Sequence, residues 1–249
     1  MRTVAVVLAG GAGVRLGGST PKQLRLLAGR TLVEHCVAAF EAAQGVDEIV
    51  VVMPAGFIGA AERILADRYG KLSHVIAGGT ERPGSTRRAI DLLSARGQDC
   101  NVLFHDAARP LVDQRIISDC VACLAECEAL GVVVPTTDTI AQLCDGVMTS
   151  IPPRESLGRC QTPQGFRLSV IRRAYERAAA DMDAAAFTAT DDCGIVLRYL
   201  PEVQVRVVLG SERNLKITFP RDLRIAEAAL REAAASGPAG QDRQGGAGW

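Results

Sequence analysis

A continuous apolar run, Thr3–Ala9, leads directly into a stretch crowded with glycine, Gly10–Thr20. A valine-rich run without polar alternation suits a strand buried on both faces, as in a parallel sheet. Such a strand needs helices on either side of it, so the pattern calls for an α/β fold. The rest of the chain keeps that rhythm. The spacing predicts strands at Glu48–Met53, His74–Ala77, Asn101–His105 and Val132–Val134. Between them it predicts helices over Thr31–Ala43, Gly59–Arg68, Ser85–Ala95 and Asp113–Leu130. Thr31 with Glu34 forms a capping-box pattern, and Ser85 is read as a helix cap. The expected fold is a doubly wound, mostly parallel, Rossmann-like sheet, with ligands beyond the carboxyl ends of its strands. Those ends are Gly10–Thr20, Gly78–Ser85 and Asp106–Pro110.

Residues 135–161 break the rhythm with Thr, Asp, Gly and Pro, and are read as a protruding β-arm over 136–161. Helices are expected again over Leu168–Ala180, Asp191–Tyr199 and Arg221–Ala235, with strands at Val203–Val208 and Leu215–Thr218. Residues 1–235 are expected to form one domain, followed by a Gly-rich, polar and disordered tail over 236–249.

Charge narrows the function classes. The 28 basic and 28 acidic residues balance. A general nucleic-acid or membrane-surface binder would need a basic excess, so neither partner is expected. No leader pattern or long apolar span is read, and the expectation is a cytoplasmic protein whose eight cysteines stay reduced. Cys120-x-x-Cys123 falls on an apolar helix stripe with Ile116, Ile117 and Leu124, which makes packing the expected role of those thiols rather than metal binding.

The first loop carries the sharpest chemistry. Glycines let backbone N–H groups close on an anion, while Arg15 and Lys22 add two full charges. A triphosphate needs both, because charge grows on departing pyrophosphate. Two commoner motifs fail: Leu16 stands where a dinucleotide fingerprint needs its third glycine, and Lys22 follows Pro21 rather than Gly. A plain glycine-rich turn with surface charges remains the alternative for this loop alone. Asp106, at a strand end, can hold Mg²⁺ or serve as a turn residue.

Taken together, the motifs resemble a known group. Leu8-Ala9-Gly10-Gly11-Ala12-Gly13-Val14-Arg15 with Pro21-Lys22-Gln23 is similar to the opening of the sugar- and polyol-phosphate nucleotidyltransferases. Gly78–Arg82 with Ser85, His105–Pro110, Asp138–Ile140, Gln161–Gln164, Thr190-Asp191 and Lys216–Thr218 then follow in order. That set resembles the methylerythritol-phosphate and ribitol-phosphate cytidylyltransferases over about residues 3–232.

The resemblance implies CTP and a polyol phosphate as substrates, joined with release of pyrophosphate. It implies that Leu8, Ala9, Gly10, Gly11, Gly13, Arg15, Lys22, Gly79, Arg82, Ser85 and Arg109 bind CTP. Asp106, Thr139, Arg154, Thr162, Thr190 and Lys216 become the acceptor candidates. Arg15, Lys22, Asp106 and Lys216 are the catalytic candidates, with Mg²⁺ or another divalent cation on Asp106. It further implies a homodimer whose arms complete each other's sites.

Arg115-Ile-Ile, Ile151-Pro-Pro-Arg154 and Cys193 lean the acceptor toward D-ribitol 5-phosphate. The alternative is 2-C-methyl-D-erythritol 4-phosphate, an isoprenoid precursor. Other nucleotidyltransferases, a non-catalytic nucleotide-binding module and a glycosyltransferase are the rivals. The last would need a D-x-D motif after a strand, and Asp181-Met-Asp183 follows a helix instead.

Overall fold

The computed structural model describes residues 1–10, 21–181 and 191–236. Its strands and helices run β1 (Thr3–Leu8), β2 (Leu26–Leu27), β3 (Arg30–Thr31), α1 (Leu32–Ala42), β4 (Glu48–Met53), α2 (Ile58–Leu65) and β5 (Leu72–Ala77). There follow α3 (Arg82–Ser94), β6 (Asn101–Asp106), α4 (Gln114–Glu126), β7 (Ala129–Pro135), β8 (Gln142–Cys144) and β9 (Val147–Ser150). β10 (Gly158–Arg167), α5 (Leu168–Ala180), α6 (Asp192–Tyr199), β11 (Val205–Leu209) and α7 (Pro220–Ser236) complete the described chain. Among these helices none is long and apolar enough to cross a membrane.

Seven strands make the main sheet, in the order β11-β7-β10-β6-β1-β4-β5. All run parallel except β10, which is antiparallel to both β6 and β7. β1 shows why two helical layers are needed. Its Ala5 and Val7 pack with residues of α1, α2 and α4, whereas Val4, Val6 and Leu8 pack with α3, α5 and α6. Period-two alternation of one buried strand thus feeds two separate cores. The expected doubly wound sheet is what forms.

Several elements follow from local chemistry. Thr31 accepts from the Glu34 backbone, and the Glu34 carboxylate accepts from the Thr31 N–H at 2.8 Å, closing the capping box. Asp113 and Asp191 cap α4 and α6 with one bond each, accepting from Ile116 N–H and Gly194 N–H at 2.8 Å. Cys120 is buried in the core, and all eight cysteines are free.

Four elements differ from the sequence reading. α3 starts at Arg82, because Pro83 is tolerated in a first helical turn; Ser85 lies inside the helix and donates back to the Glu81 carbonyl. α4 ends at Glu126 rather than Leu130. Ala129 and Leu130 are taken into β7, where each pairs with both β10 and β11. The sequence pattern puts β10 at the end of the arm and in the segment after it, yet the strand lies inside the sheet. Its Gly, Gln and Pro content hides it, and a register shift between Gln161 and Gln164 accommodates Pro163. Residues 215–218 are irregular rather than a strand. The arm carries the β8–β9 hairpin, all of whose strand residues are exposed. The tail from residue 237 lies outside the described residues.

Candidate active site

The carboxyl ends of β6, β1, β4 and β5 are stitched together by backbone bonds. Ala107 N–H donates to Leu8 O at 3.0 Å, Ala9 N–H to Val52 O at 2.8 Å, and Gly78 N–H to Met53 O at 2.8 Å. Over this rim two glycine segments meet. A Cβ on Gly10 would collide with Ser85 Oγ, and one on Gly79 would come within 2.8 Å of the Gly84 backbone. Only glycine permits this approach, which brings Gly10 and the start of α3 together. Gln23 Nε2 donates to Ala9 O.

Asp106 stands at the centre. Its carboxylate accepts from Arg82 Nε at 3.0 Å and from Lys216 Nζ at 2.7 Å. Burial works to raise its pKa, but Arg82 and Lys216 overcome it and hold the carboxyl far below the usual carboxylate range. Arg82 makes a second ion contact, from Nη1 to Asp192 Oδ2 at 2.8 Å. Burial opposes its charge as well, yet Asp192 and Asp106 keep its pKa above the ordinary value. The Arg82 side chain is only 21 % exposed. Its Nη1 and Nη2 are buried, and neither has a hydrogen-bond partner among the described residues.

Thr162 and His105 hold Asp106 from behind. The Thr162 hydroxyl accepts from Asp106 N–H at 3.1 Å and lies 3.1 Å from His105 Nδ1. His105 Nε2 faces the Arg109 carbonyl at 3.0 Å; a carbonyl can only accept, which assigns the ring proton to Nε2 and makes Nδ1 an acceptor. Burial lowers the His105 pKa to about 4, so the ring is neutral and both its nitrogens are engaged. It cannot serve as a general base near pH 7. Thr162, an acceptor candidate by sequence, spends its hydroxyl on this internal relay.

Arg109 donates to Asn214 O at 2.8 Å and to Cys160 O at 3.2 Å. Lys22 Nζ donates to Ile217 O at 3.2 Å, beside Lys216, while Ile217 N–H donates to Ala108 O at 2.8 Å. The irregular segment carrying Lys216 is therefore pinned to the turn after Asp106, and Lys22 reaches the same segment through Ile217 O. Arg154 and Thr139 are brought together in the arm, Nη2 to Oγ1 at 3.3 Å. Gly11, Gly13, Arg15 and Thr190 lie outside the described residues.

Sequence reasoning missed Asp192, Tyr175 and Asn214. Asp192 was within reach, since an acidic residue followed Thr190-Asp191 at the head of an apolar helix. Tyr175 and Asn214 carried no signal, because their partners are remote in sequence.

Asp106 held between Arg82 and Lys216, at the strand-end rim where the glycine-rich segment begins, fits a nucleotidyltransferase-type site. The matches agree with this and sharpen it. Residues 3–232 match the family of 2-C-methyl-D-erythritol 4-phosphate cytidylyltransferases, and the chain belongs to that family. It is 52% identical to 2-C-methyl-D-erythritol 4-phosphate cytidylyltransferase of Thermobifida fusca over 92% of this chain and 94% of that protein. A bifunctional ribulose 5-phosphate reductase/CDP-ribitol pyrophosphorylase of Haemophilus influenzae is 37% identical over 91% of this chain, which spans only 48% of that longer protein. The crystal structure of 4-diphosphocytidyl-2C-methyl-D-erythritol synthase from Anaerococcus prevotii superposes with a TM-score of 0.80 at 26% identity, over 92% of this chain and 96% of that one.

The protein is thus a cytidylyltransferase. The leaning toward D-ribitol 5-phosphate is not supported. Two of the features behind it serve the scaffold: Arg115 donates to Leu209 O and Gly210 O at 3.1 Å, and the Cys193 thiol is buried against Leu130 O.

Proposed function

We propose that this protein transfers CMP from CTP to 2-C-methyl-D-erythritol 4-phosphate and releases pyrophosphate. The observation that carries the acceptor is the 52% identity, across 92% of the chain, to a protein of that name. The acceptor phosphate is already anionic, so it attacks the α-phosphorus in line without a dedicated base. A neutral, fully engaged His105 supports that reading. Catalysis is positioning plus charge neutralisation. Lys22 stabilises the departing pyrophosphate together with Arg15, and Lys216 holds the acceptor phosphate beside Asp106.

The donor set suits a divalent ion that arrives with the nucleotide. Asp106 is a carboxylate whose two oxygens each accept one hydrogen bond and keep further lone pairs. Mg²⁺ takes few protein ligands and keeps waters and phosphate oxygens. Asp106 would hold it, and it would supply charge neutralisation at the phosphates. The exposed apolar residues Ile140, Leu143, Val147, Met148 and Ile151 on the arm support a homodimer joined through the arms.

Pyrophosphate release from CTP, measured side by side with both acceptors, tests the assignment. The expected result is a kcat/KM for 2-C-methyl-D-erythritol 4-phosphate at least about 100-fold above that for D-ribitol 5-phosphate, since a site built for one set of hydroxyls strands its polar groups on the other. The reverse preference would overturn it.

A further inference from the structure

Asp192 takes no part in the reaction as described, yet it is the partner on which Arg82 depends. Its residue is fully buried at the first turn of α6. Tyr175 Oη, from α5, donates to its Oδ1 at 2.7 Å. Its other oxygen lies 2.8 Å from Arg82 Nη1, an ion contact without hydrogen-bond geometry. Its backbone N–H donates to Gln164 Oε1 at 3.0 Å, and the other end of that amide donates to Asp191 Oδ2 at 2.8 Å. Gln164 in turn lies on β10, paired in register with Phe104, two residues before Asp106.

A carboxylate buried this completely persists only when it is paired and hydrogen-bonded. Here three elements supply the partners, and all of them fix where Asp192 can sit. Arg82 is stretched between two carboxylates, Asp192 on one side and Asp106 on the other. That division matters chemically. A guanidinium with one carboxylate in reach pairs with it through two parallel bonds. If the charge of Asp192 were lost, the fork of Arg82 would close on Asp106, claim both oxygens and displace Lys216.

We propose that Asp192 is the positioning residue of the active site. It holds Arg82 off a bidentate pair with Asp106, so that Lys216 and a substrate phosphate each find the geometry they need. The chain Tyr175–Asp192–Arg82–Asp106–Lys216 then carries order from beneath α5 to the reacting groups. The inference uses the cytidylyl-transfer reaction for its assay but not the identity of the acceptor.

The test is a set of full-length variants assayed for pyrophosphate release with whichever polyol phosphate the wild type turns over. Activity with ribitol phosphate alone would sink the acceptor assignment and leave this test intact. Asp192→Asn keeps shape and removes charge; kcat should fall about 10- to 100-fold, as for outer partners that orient a site's ligands. KM for CTP should move by less than about threefold, because the loss is of geometry made in the transition state. Asp192→Glu should restore kcat to within about fivefold of wild type, since it returns the charge.

In an Arg82→Met background, Asp192→Asn should add less than about twofold, because residues that act through one another are not additive. Tyr175→Phe, which alters no charge, should lower kcat by about three- to tenfold and carries the test if Asp192→Asn does not fold. Wild-type kcat in folded Asp192→Asn or in Tyr175→Phe, or an equal loss with and without Arg82, would overturn the proposal.

Discussion

Replacing Gly79 with alanine should damage the nucleotide half of the site without touching any charged group. A Cβ there would lie 2.8 Å from both Cα and C of Gly84, and 3.2 Å from Ser85 N. Carbon pairs rest at about 3.5–4.0 Å, so the first turn of α3 must retreat by about 0.7 Å or more. The obstacle is backbone, which cannot rotate aside as a long side chain could. Overpacking of this kind costs about 1–3 kcal/mol. For a chain of this size that is a fall in Tm of about 2–12 °C.

Arg82 and Ser85 ride on the same turn, and a misplacement near 1 Å costs about 100-fold in rate. We expect kcat/KM for CTP to fall about 10- to 100-fold on that basis. Gly84→Ala should be milder, because its Cβ meets Gly79 Cα at 3.3 Å. Gly59→Ala is the control: it meets only the tip of Arg63, at 3.6 Å, and should be neutral or stabilise α2 by about 0.5–1 kcal/mol. Thermal melts and pyrophosphate-release kinetics on the three variants decide the matter. A Gly79→Ala protein with wild-type Tm and wild-type KM for CTP would refute the argument that this close approach requires glycine.

Two further predictions concern the charged groups. Lys22→Ala should lower kcat by at least about 100-fold, the usual effect of losing one donor to transition-state charge; steady-state kinetics with near-normal turnover would remove Lys22 from the assigned role. Asp106 has a folded-state pKa depressed by Arg82 and Lys216 against burial. Its contribution is complete above the unfolded carboxyl value of about 3.9 and is lost as pH falls toward the folded value. The Tm difference between wild type and Asp106→Asn should therefore stay level from neutral pH to about pH 5 and shrink below about pH 4. Melting curves in which that difference widens in acid would contradict the pairing.

Some of this protein is written along the chain itself. The runs Thr3–Leu8 and Glu48–Met53 are apolar after their first residue, and Asn101–Asp106 has an apolar centre, Val102–Phe104, as strands buried on both faces require. Thr31 with Glu34 marks a helix start within four residues, because a cap is a local bond. The alternation of these elements places ligand chemistry at the strand ends, where Asp106, Gly79 and the first glycine loop all lie.

What the chain does not display is the pairing of remote parts. β10 looks like a loop because its burial comes from neighbours on both sides of the sheet rather than from its own residues. Lys216 meets Asp106 from 110 residues away, in a segment that is pinned by side chains and is not a strand. Nothing near Arg82 in the chain shows that it lies between Asp106 and Asp192. Local patterns encode backbone periodicity and caps, which depend on near neighbours. The charge state and aim of a buried side chain depend on groups that only the folded sheet brings within 3 Å, and so tertiary structure alone decided them.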